Sequence, residues 1–301
     1  MPGVHYAQRF FAILELLRQE TDPDHCMDAP HLAIRLQEQY HLKVEPRSIR
    51  KIIAEMIEAG FPVYGQHKYC WRGTLTSGEL EYLLTAIRYG HGLSQEAGEA
   101  LTQKLLMLGD RRAHADAQIP MRFGNAQMLQ TLAVLREAMD TGHQVSFQYG
   151  MLDTKGNLVP KLRRGYSRQP KIYNANPYGI VGASGRIYLI ASVNRHSDIS
   201  HYRVDRILNV RKRKALVKAL QKPIHLGEYV LAHPYMYSGA VECHLLQVER
   251  NHLNDLFDWF GRNIHLEDMD DRFVKAWVYS DTESMAIWLR RYAAYAQKLN
   301  D

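Results

Sequence analysis

Segment 200–210, SHYRVDRILNV, places two arginines three positions apart among β-forming residues. Arg203 and Arg206 are accompanied by His201 and Tyr202, and Asp205 is the only acidic residue beside them. An arginine side chain remains protonated in proteins, so each of these two must pair with a carboxylate, bind another anion or stay in water. Two guanidinium groups next to one carboxylate leave one positive charge to be explained.

The positive charge of the whole chain is concentrated around this segment. The net charge is +6, and residues 143–223 hold 16 Lys and Arg against 3 Asp and Glu. Residues 1–75 are balanced, while 76–142 and 224–301 carry net charges of −2 and −5. Clustered Lys and Arg are typical of surfaces that bind phosphate. The alternative interpretation is a basic face that contacts only water.

Composition limits the class of protein. The 301 residues are 46% hydrophobic and 23% charged, which is ordinary for a chain with two or more domains. Because no signal peptide and no run of 18 apolar residues is present, we expect a cytoplasmic protein without a membrane span. Cys26, Cys70 and Cys243 are isolated and odd in number. We interpret them as reduced structural residues that form neither a disulfide framework nor a metal site.

The first 75 residues predict three short helices followed by a β-hairpin. Asp28 is placed as an N-cap before the second helix, and Pro46 suits the first position of the third. The third helix carries an apolar stripe, which comprises Ile49, Ile52, Ile53, Met56 and Ile57. Gly60 ends this helix, and two β-prone runs follow around Gly65. This order predicts a winged helix-turn-helix, whose last helix lies in the DNA major groove.

The face opposite the apolar stripe carries Arg47, Ser48, Arg50 and Lys51. Arginine can bind guanine with two hydrogen bonds, and serine or lysine can contact phosphate oxygens. We therefore predict that these four residues bind DNA. The alternative, an ordinary charged outer face of a helical bundle, is favoured by the balanced charge of residues 1–75.

Residues 76–141 predict a helical connector, and residues 142–223 a β-domain. Thr76 and Glu79 form a capping box, and helical patterns follow at 94–108 and 125–139 with a surface link over 109–120. From Gly142 the apolar residues recur at every second position, with Val145 and Phe147 on one side of a strand. Further strands flank a turn at 182–185 and occupy 199–210, which predicts a small antiparallel barrel or sandwich.

Residues 224–301 predict a ferredoxin-like α+β domain. The pattern is a strand at 241–249, a helix at 251–261, two strands near 263–269 and 272–280, and a helix from Thr282 to Gln297. The predicted fold class of the whole chain is therefore α+β with several domains.

This order of elements resembles the bacterial WYL-domain transcriptional regulators over essentially the whole chain. The most specific matches are IYL at 187–189 and YRVDRI at 202–207. The first motif is usually Trp-Tyr-Leu in that family; here Ile187 replaces the tryptophan, whereas Tyr188 and Leu189 match. The resemblance implies a winged helix-turn-helix over 1–75, a connector over 76–141, a Sm/SH3-like barrel over 142–223 and an extension over 224–301 that forms dimers.

The resemblance also implies a function. Such a protein would bind an operator in double-stranded DNA as a homodimer and would sense an anionic effector, a nucleotide or a single-stranded nucleic acid, without a cofactor. Carried over by motif, the ligand-binding residues are Ser146, Tyr188, Arg203 and Arg206, and we add His201 beside them. The planar guanidinium group matches phosphate oxygens with two hydrogen bonds.

Two alternatives remain for this site. Arg206 could form a salt bridge with Asp205 or Asp198, and Tyr188 could be a core residue. Positions 203 and 206 also have opposite parity, so their side chains converge only if a bend or bulge interrupts the strand.

An enzyme is not predicted. Residues 143–223 hold only Asp153, Asp198 and Asp205 as acids, and no HExxH motif, phosphate loop or Cys/His cluster with metal spacing is present. General acid–base and metal-assisted chemistry both need convergent ligands or carboxylates. A second non-enzymatic possibility is an adaptor that binds RNA or single-stranded nucleic acid without operator specificity, which a comparison of duplex and single strands would distinguish.

Overall fold

The computed structural model describes residues 2–109, 124–166, 168–193, 198–220, 222–261 and 264–299. These residues form two compact units. The first comprises residues up to 90 together with 95–109, and the second comprises 91–94 together with the described residues from 124 onward. The division falls inside the predicted connector, and most of the predicted link at 109–120 lies outside the described residues.

The first unit is built from helices and a small antiparallel sheet. Its elements are α1 (Pro2–Glu20), β1 (Met27–Asp28), α2 (Ala29–Tyr40), α3 (Pro46–Glu58), β2 (Val63–Tyr64), β3 (Lys68–Trp71), α4 (Ser77–Tyr89) and α5 (Gln95–Leu106). The strand order is β1–β3–β2. One core joins α1, α2, α3 and β3 through residues such as Leu17, Leu32, Ile53 and Trp71.

Local sequence signals fix the helix starts in this unit. The Asp28 carboxylate accepts a hydrogen bond from the backbone N–H of His31 at 2.9 Å and caps α2. Pro46 begins α3, as predicted from its missing N–H group. Thr76 and Glu79 form the predicted capping box at the start of α4. Gly65, at φ 116°, occupies the turn between β2 and β3.

The second unit begins with α6 (Met128–Asp140), which packs on a six-stranded sheet. The strands are β4 (His143–Leu152), β5 (Leu158–Pro160), β6 (Ile172–Ala183), β7 (Arg186–Val193), β8 (Ile199–Arg203) and β9 (Ile207–Leu216). The order is β5–β4–β6–β7–β8, and β9 pairs with β4. A 3-10 helix, Val204–Arg206, joins β8 directly to β9. Because three residues connect strands on opposite sides of the sheet, the sheet must curl strongly.

The remainder of this unit is a four-stranded antiparallel sheet with helices. Its elements are α7 (Leu226–Ala232), β10 (Val241–Glu249), a 3-10 helix (Arg250–His252), α8 (Leu253–Phe260), β11 (Ile264–Asp268), β12 (Phe273–Asp281), α9 (Thr282–Arg291) and β13 (Ala296–Lys298). The strand order is β11–β12–β10–β13. The helix α7 packs against β6, where Leu226 and Tyr229 join an apolar cluster around Val181 and Ile190.

One predicted boundary is wrong. The last helix ends at Arg291 and does not continue to Gln297, which lies in β13 and pairs with Gln247 of β10. Pairing with β10, a segment distant in sequence, explains the difference, and Tyr292 and Ala296 both enter the core of this sheet. Pairing of β13 also satisfies the backbone groups along one side of β10.

Candidate functional site

The two arginines of the opening motif lie at the two ends of the turn between β8 and β9. Arg203 is the last residue of β8, and Arg206 is the last residue of the 3-10 helix. A 3-10 helix has three residues per turn, so side chains three positions apart lie above one another. This turn is the bend that convergence of the two side chains requires. Both guanidinium groups act electrostatically on the hydroxyls of Tyr149 and Tyr188.

Arg203 is held by Asp205. Its Nε and one terminal nitrogen donate hydrogen bonds to the two carboxylate oxygens at 3.0 and 2.6 Å. Asp205 is only 2% exposed. Burial tends to lower the pKa of Arg203, but the hydrogen bonds and charge of Asp205 outweigh burial, so the pKa is raised. Asp205 therefore pairs with Arg203. One alternative from the sequence was a salt bridge between Asp205 and Arg206, and the structure does not form it.

The backbone around Asp205 is fixed by two neighbours from outside the sheet. The Asn125 side-chain amide donates to the carbonyl oxygens of Asp205 and Ile207 at 3.1 and 3.0 Å. Gly92, at φ 108°, lies so close that an added Cβ would come within 2.7 Å of the Asp205 Cβ. The ion pair is thus built into a rigid turn.

Arg206 is less constrained than Arg203. Its Nε is buried and has no hydrogen-bond partner among the described residues. Nearby, the Nε of Arg186 is also buried and unpartnered within the described chain, although its Nη1 donates to the Ser184 carbonyl at 3.3 Å. A buried donor without a partner costs about 1–3 kcal/mol, so these groups are suited to an acceptor supplied by a ligand.

Tyr188 lies at the centre of this positive charge. It is half-buried on β7 and pairs directly with Arg203 of β8. Burial raises the pKa of the Tyr188 hydroxyl, while Arg203, Arg186 and Arg206 oppose that rise and Asp205 adds to it. The charges of three guanidinium groups and one carboxylate therefore act on the hydroxyl. Tyr188 also packs against the apolar cluster of Val181 and Ile190, so it contributes to packing as well.

One comparison with known protein families concerns the segment that contains these residues. Residues 130–212 match the model of the WYL domain. This segment of the chain is therefore a WYL domain. The matched segment begins within α6 and contains Tyr188, Arg203 and Arg206.

No curated protein matches this chain, and one of the solved structures that do match it covers nearly all of its length. The structure is Proteasome accessory factor B/C (PafBC) of Arthrobacter aurescens, with 13% sequence identity and a TM-score of 0.29. The similarity covers 98% of this chain and 46% of PafBC, so this chain spans less than half of that protein's length.

Two other predicted ligand residues, His201 and Ser146, have other neighbours in the WYL domain. The two ring nitrogens of His201 are 2.8 Å from the Met236 carbonyl oxygen and 2.7 Å from the Tyr229 hydroxyl. Burial lowers the pKa of His201, which favours the neutral ring. Ser146 pairs with Asn174 of β6, whereas Tyr188 pairs with Val181 of the same strand. Strand pairing therefore does not place Ser146 beside Tyr188.

A second basic surface of the WYL domain was not singled out from the sequence. The stretch 158–172 is here called the basic hairpin, and its residues 161–164 and 169–172 line, together with Tyr173, a groove of about 720 Å³. The cations of the basic hairpin are Lys161, Arg163, Arg164, Arg168 and Lys171, and no Asp or Glu occurs between Asp153 and Asp198. The Lys171 Nζ lies 4.6 Å from the centre of the Tyr173 ring, and the Lys161 Nζ 5.6 Å from that of Tyr149. The absence of acidic residues in this stretch was the sequence signal that could have identified it.

The residues predicted to bind DNA lie on α3. Arg47, Arg50 and Lys51 are exposed, Ser48 is half-buried, and the opposite face of α3 enters the core through Ile49, Ile52, Ile53 and Met56. Lys51 lies 3.9 Å from Glu55, which leaves its ammonium group largely in water. The predicted contact face is therefore free of apolar packing.

Two other kinds of feature are absent from the described residues. No group of three or more His, Cys, Asp or Glu side chains among them could hold a metal ion. No described helix is long and apolar enough to cross a membrane.

Proposed function

We propose that the protein is a WYL-type transcriptional regulator that binds an operator in double-stranded DNA and is controlled by an anionic ligand. The observation that carries the proposal is the cluster of Tyr188, Arg203 and Arg206, in which Asp205 neutralises only one of the two arginines. The uncommitted guanidinium of Arg206 is the principal anion-binding group, and Arg203 holds the turn in shape. The ligand is a nucleotide or a single-stranded nucleic acid.

The basic hairpin supports a ligand with more than one phosphate. Its cations have no acidic neighbours in the sequence from 154 to 197. Single-stranded nucleic acids are bound where cations that contact the backbone alternate with aromatic rings. Lys161 and Lys171 lie over aromatic rings in this way.

DNA binding is assigned to the first unit. The order of three helices and the hairpin of β2 and β3 supports a winged helix-turn-helix, with α3 as the recognition helix. We also assign the curled WYL sheet to the Sm/SH3-like barrels and the C-terminal sheet to the ferredoxin-like domains. A cytoplasmic homodimer, with the C-terminal sheet in the interface, completes the proposal, because two recognition helices would read two half-sites.

The DNA-binding part is tested by replacing Arg47 and Arg50 with alanine. Each base-contacting arginine contributes about 1–3 kcal/mol, so affinity for duplex DNA from the protein's own locus should fall at least tenfold for the double variant. Lys104→Ala combined with Arg136→Ala removes the same charge from other exposed helices and serves as the control. Equal affinities of the two double variants would refute the assignment of α3.

A second candidate function is an adaptor that binds RNA or single-stranded nucleic acid without operator specificity. It is favoured by the location of the positive charge, which lies in residues 143–223 and not in the balanced residues 1–75. Titration of duplex DNA, single-stranded DNA and RNA of the same sequence distinguishes the two functions. A regulator binds its own duplex best, whereas the adaptor binds the single strands and ignores duplex sequence.

A further inference from the structure

Two cysteines that are 44 positions apart in the sequence lie opposite each other in the first unit. The strands β1 and β3 are antiparallel, with Met27 opposite Tyr69 and Asp28 opposite Lys68. One step further along this register, Cys26 is opposite Cys70. Directly opposed residues of antiparallel strands have Cα atoms about 4.5–5.5 Å apart and side chains on the same face. Disulfides span Cα separations of about 4.4–6.8 Å, so this placement suits one.

The two thiols also interact. Burial, and next the hydrogen bond and charge of the Cys26 thiol, raise the pKa of Cys70 to about 12. The other neighbours of both sulfurs are weak partners, since the Cys26 Sγ is 3.8 Å from the carbonyl oxygens of Asp22 and Pro23. The Cys70 Sγ is 3.8 Å from the carbonyl oxygen of Tyr64. No strong contact therefore holds either sulfur away from the other.

The two thiols differ in their access to solvent. Cys26 is partly exposed, whereas Cys70 is buried. A small oxidant in solution therefore reaches Cys26 first, and Cys70 is positioned to react with whatever forms on Cys26. Partial exposure next to a second cysteine is the arrangement found in redox-sensing cysteines.

We propose that Cys26 and Cys70 form a redox site that a hydroperoxide converts into an intramolecular disulfide. The Cys26 sulfur, after losing its proton, attacks one peroxide oxygen, the O–O bond breaks, and a sulfenic acid and one water form. The Cys70 sulfur then attacks the Cys26 sulfur, the S–O bond breaks, and a second water leaves. Two thiols lose two electrons and two protons in total, and one hydrogen peroxide is reduced to two waters. A dithiol reductant reverses the change by thiol–disulfide exchange.

The cross-link would close a loop around the proposed DNA-binding helices. The segment between Cys26 and Cys70 contains α2, α3 and β2. Immediately after Cys70, the backbone N–H of Trp71 donates to the Thr21 hydroxyl at 2.8 Å, which already ties β3 to the end of α1. A disulfide at this junction joins the start of α2 covalently to the hairpin. It should raise thermal stability, because it restricts the unfolded chain.

The experiment treats the full chain with a small excess of hydrogen peroxide and maps its peptides without reduction. We expect a peptide pair linked through Cys26 and Cys70 and a loss of two hydrogens from the protein mass. The melting temperature should rise by several degrees, and dithiothreitol should return it to its original value. Cys243→Ser, which removes the exposed cysteine of β10, should behave like the unaltered chain.

Single variants assign the order of the steps. Cys70→Ser should accumulate the sulfenic acid at Cys26, detected as a dimedone adduct, and Cys26→Ser should form no internal cross-link. If Cys70→Ser fails to fold, Cys26→Ser still carries the test because its side chain is partly exposed. Oxidation confined to Cys243, or a Cys26 that oxidises without linking to Cys70, would overturn the proposal.

Discussion

The asymmetry between Arg203 and Arg206 predicts that the two residues fail in different ways when they are replaced. Arg203 makes two hydrogen bonds to a carboxylate that is 2% exposed, whereas the Arg206 Nε has no partner among the described residues. Replacement of each by methionine keeps much of the side-chain volume and removes the charge. We expect Arg203→Met to reduce stability and Arg206→Met to reduce ligand binding.

The magnitudes follow from burial. Removing one member of a buried ion pair costs about 3–5 kcal/mol because the other charge is left without a partner. The Arg203 side chain is 21% exposed, so water can reach part of the site, and we expect a loss of about 2–3 kcal/mol in the free energy of unfolding. Arg206→Met leaves no buried carboxylate unpaired and should cost less than about 1 kcal/mol. Loss of a charge-assisted hydrogen bond costs about 1.5–3 kcal/mol of binding free energy, which lowers the ligand affinity at least tenfold.

The assay combines urea unfolding, followed by far-ultraviolet circular dichroism, with calorimetry of nucleotides and short single-stranded oligonucleotides. The double variant Arg203→Met with Asp205→Leu removes both charges and should recover part of the stability that Arg203→Met loses, since no buried charge remains. Equal unfolding free energies for the two single variants would refute the assigned structural role of Arg203. Unchanged ligand affinity in Arg206→Met, with a ligand that the unaltered protein binds, would refute the anion-binding role.

Three further predictions concern other parts of the second unit. Burial lowers the pKa of His201 in the folded protein, so the contribution of this residue to stability is complete above the unfolded pKa of about 6.5. That contribution is lost as pH falls from there towards the folded pKa. Between pH 7.5 and 5.5, the melting temperature of His201→Phe should therefore drop less than that of the unaltered protein. Lys161→Ala combined with Lys171→Ala should weaken binding of oligonucleotides more than of mononucleotides, measured by fluorescence anisotropy, and equal losses would contradict a hairpin contact to additional phosphates. Gly92→Ala should cost about 1–3 kcal/mol from overpacking, while Gly156→Ala, which also has positive φ but nothing within 4 Å of the added Cβ, should cost less in the same urea assay.

Local signals predicted most of the secondary structure. Helix starts at Asp28, Pro46 and Thr76 depend on contacts within three or four residues, and such contacts are fully contained in the sequence. The alternation of Val145 and Phe147 likewise predicts a strand with one buried face, and both side chains lie in the core. Where pairing with a distant strand decides, prediction fails, as for Gln297, which lies in β13 and not in a helix.

The sequence by itself determined which chemical groups are present at the candidate site: two arginines, one carboxylate and a tyrosine in motifs that resemble the WYL family. Only the tertiary structure decided how they are used. A 3-10 helix interrupts the strands between positions 203 and 207, Asp205 pairs with Arg203, and the His201 ring contacts the Tyr229 hydroxyl. The register of β1 and β3 similarly brings Cys26 to Cys70 across 44 positions of sequence. The physical reason is that sequence spacing fixes contacts over one turn or one strand, whereas pairings between distant segments depend on the register and burial that the whole core imposes.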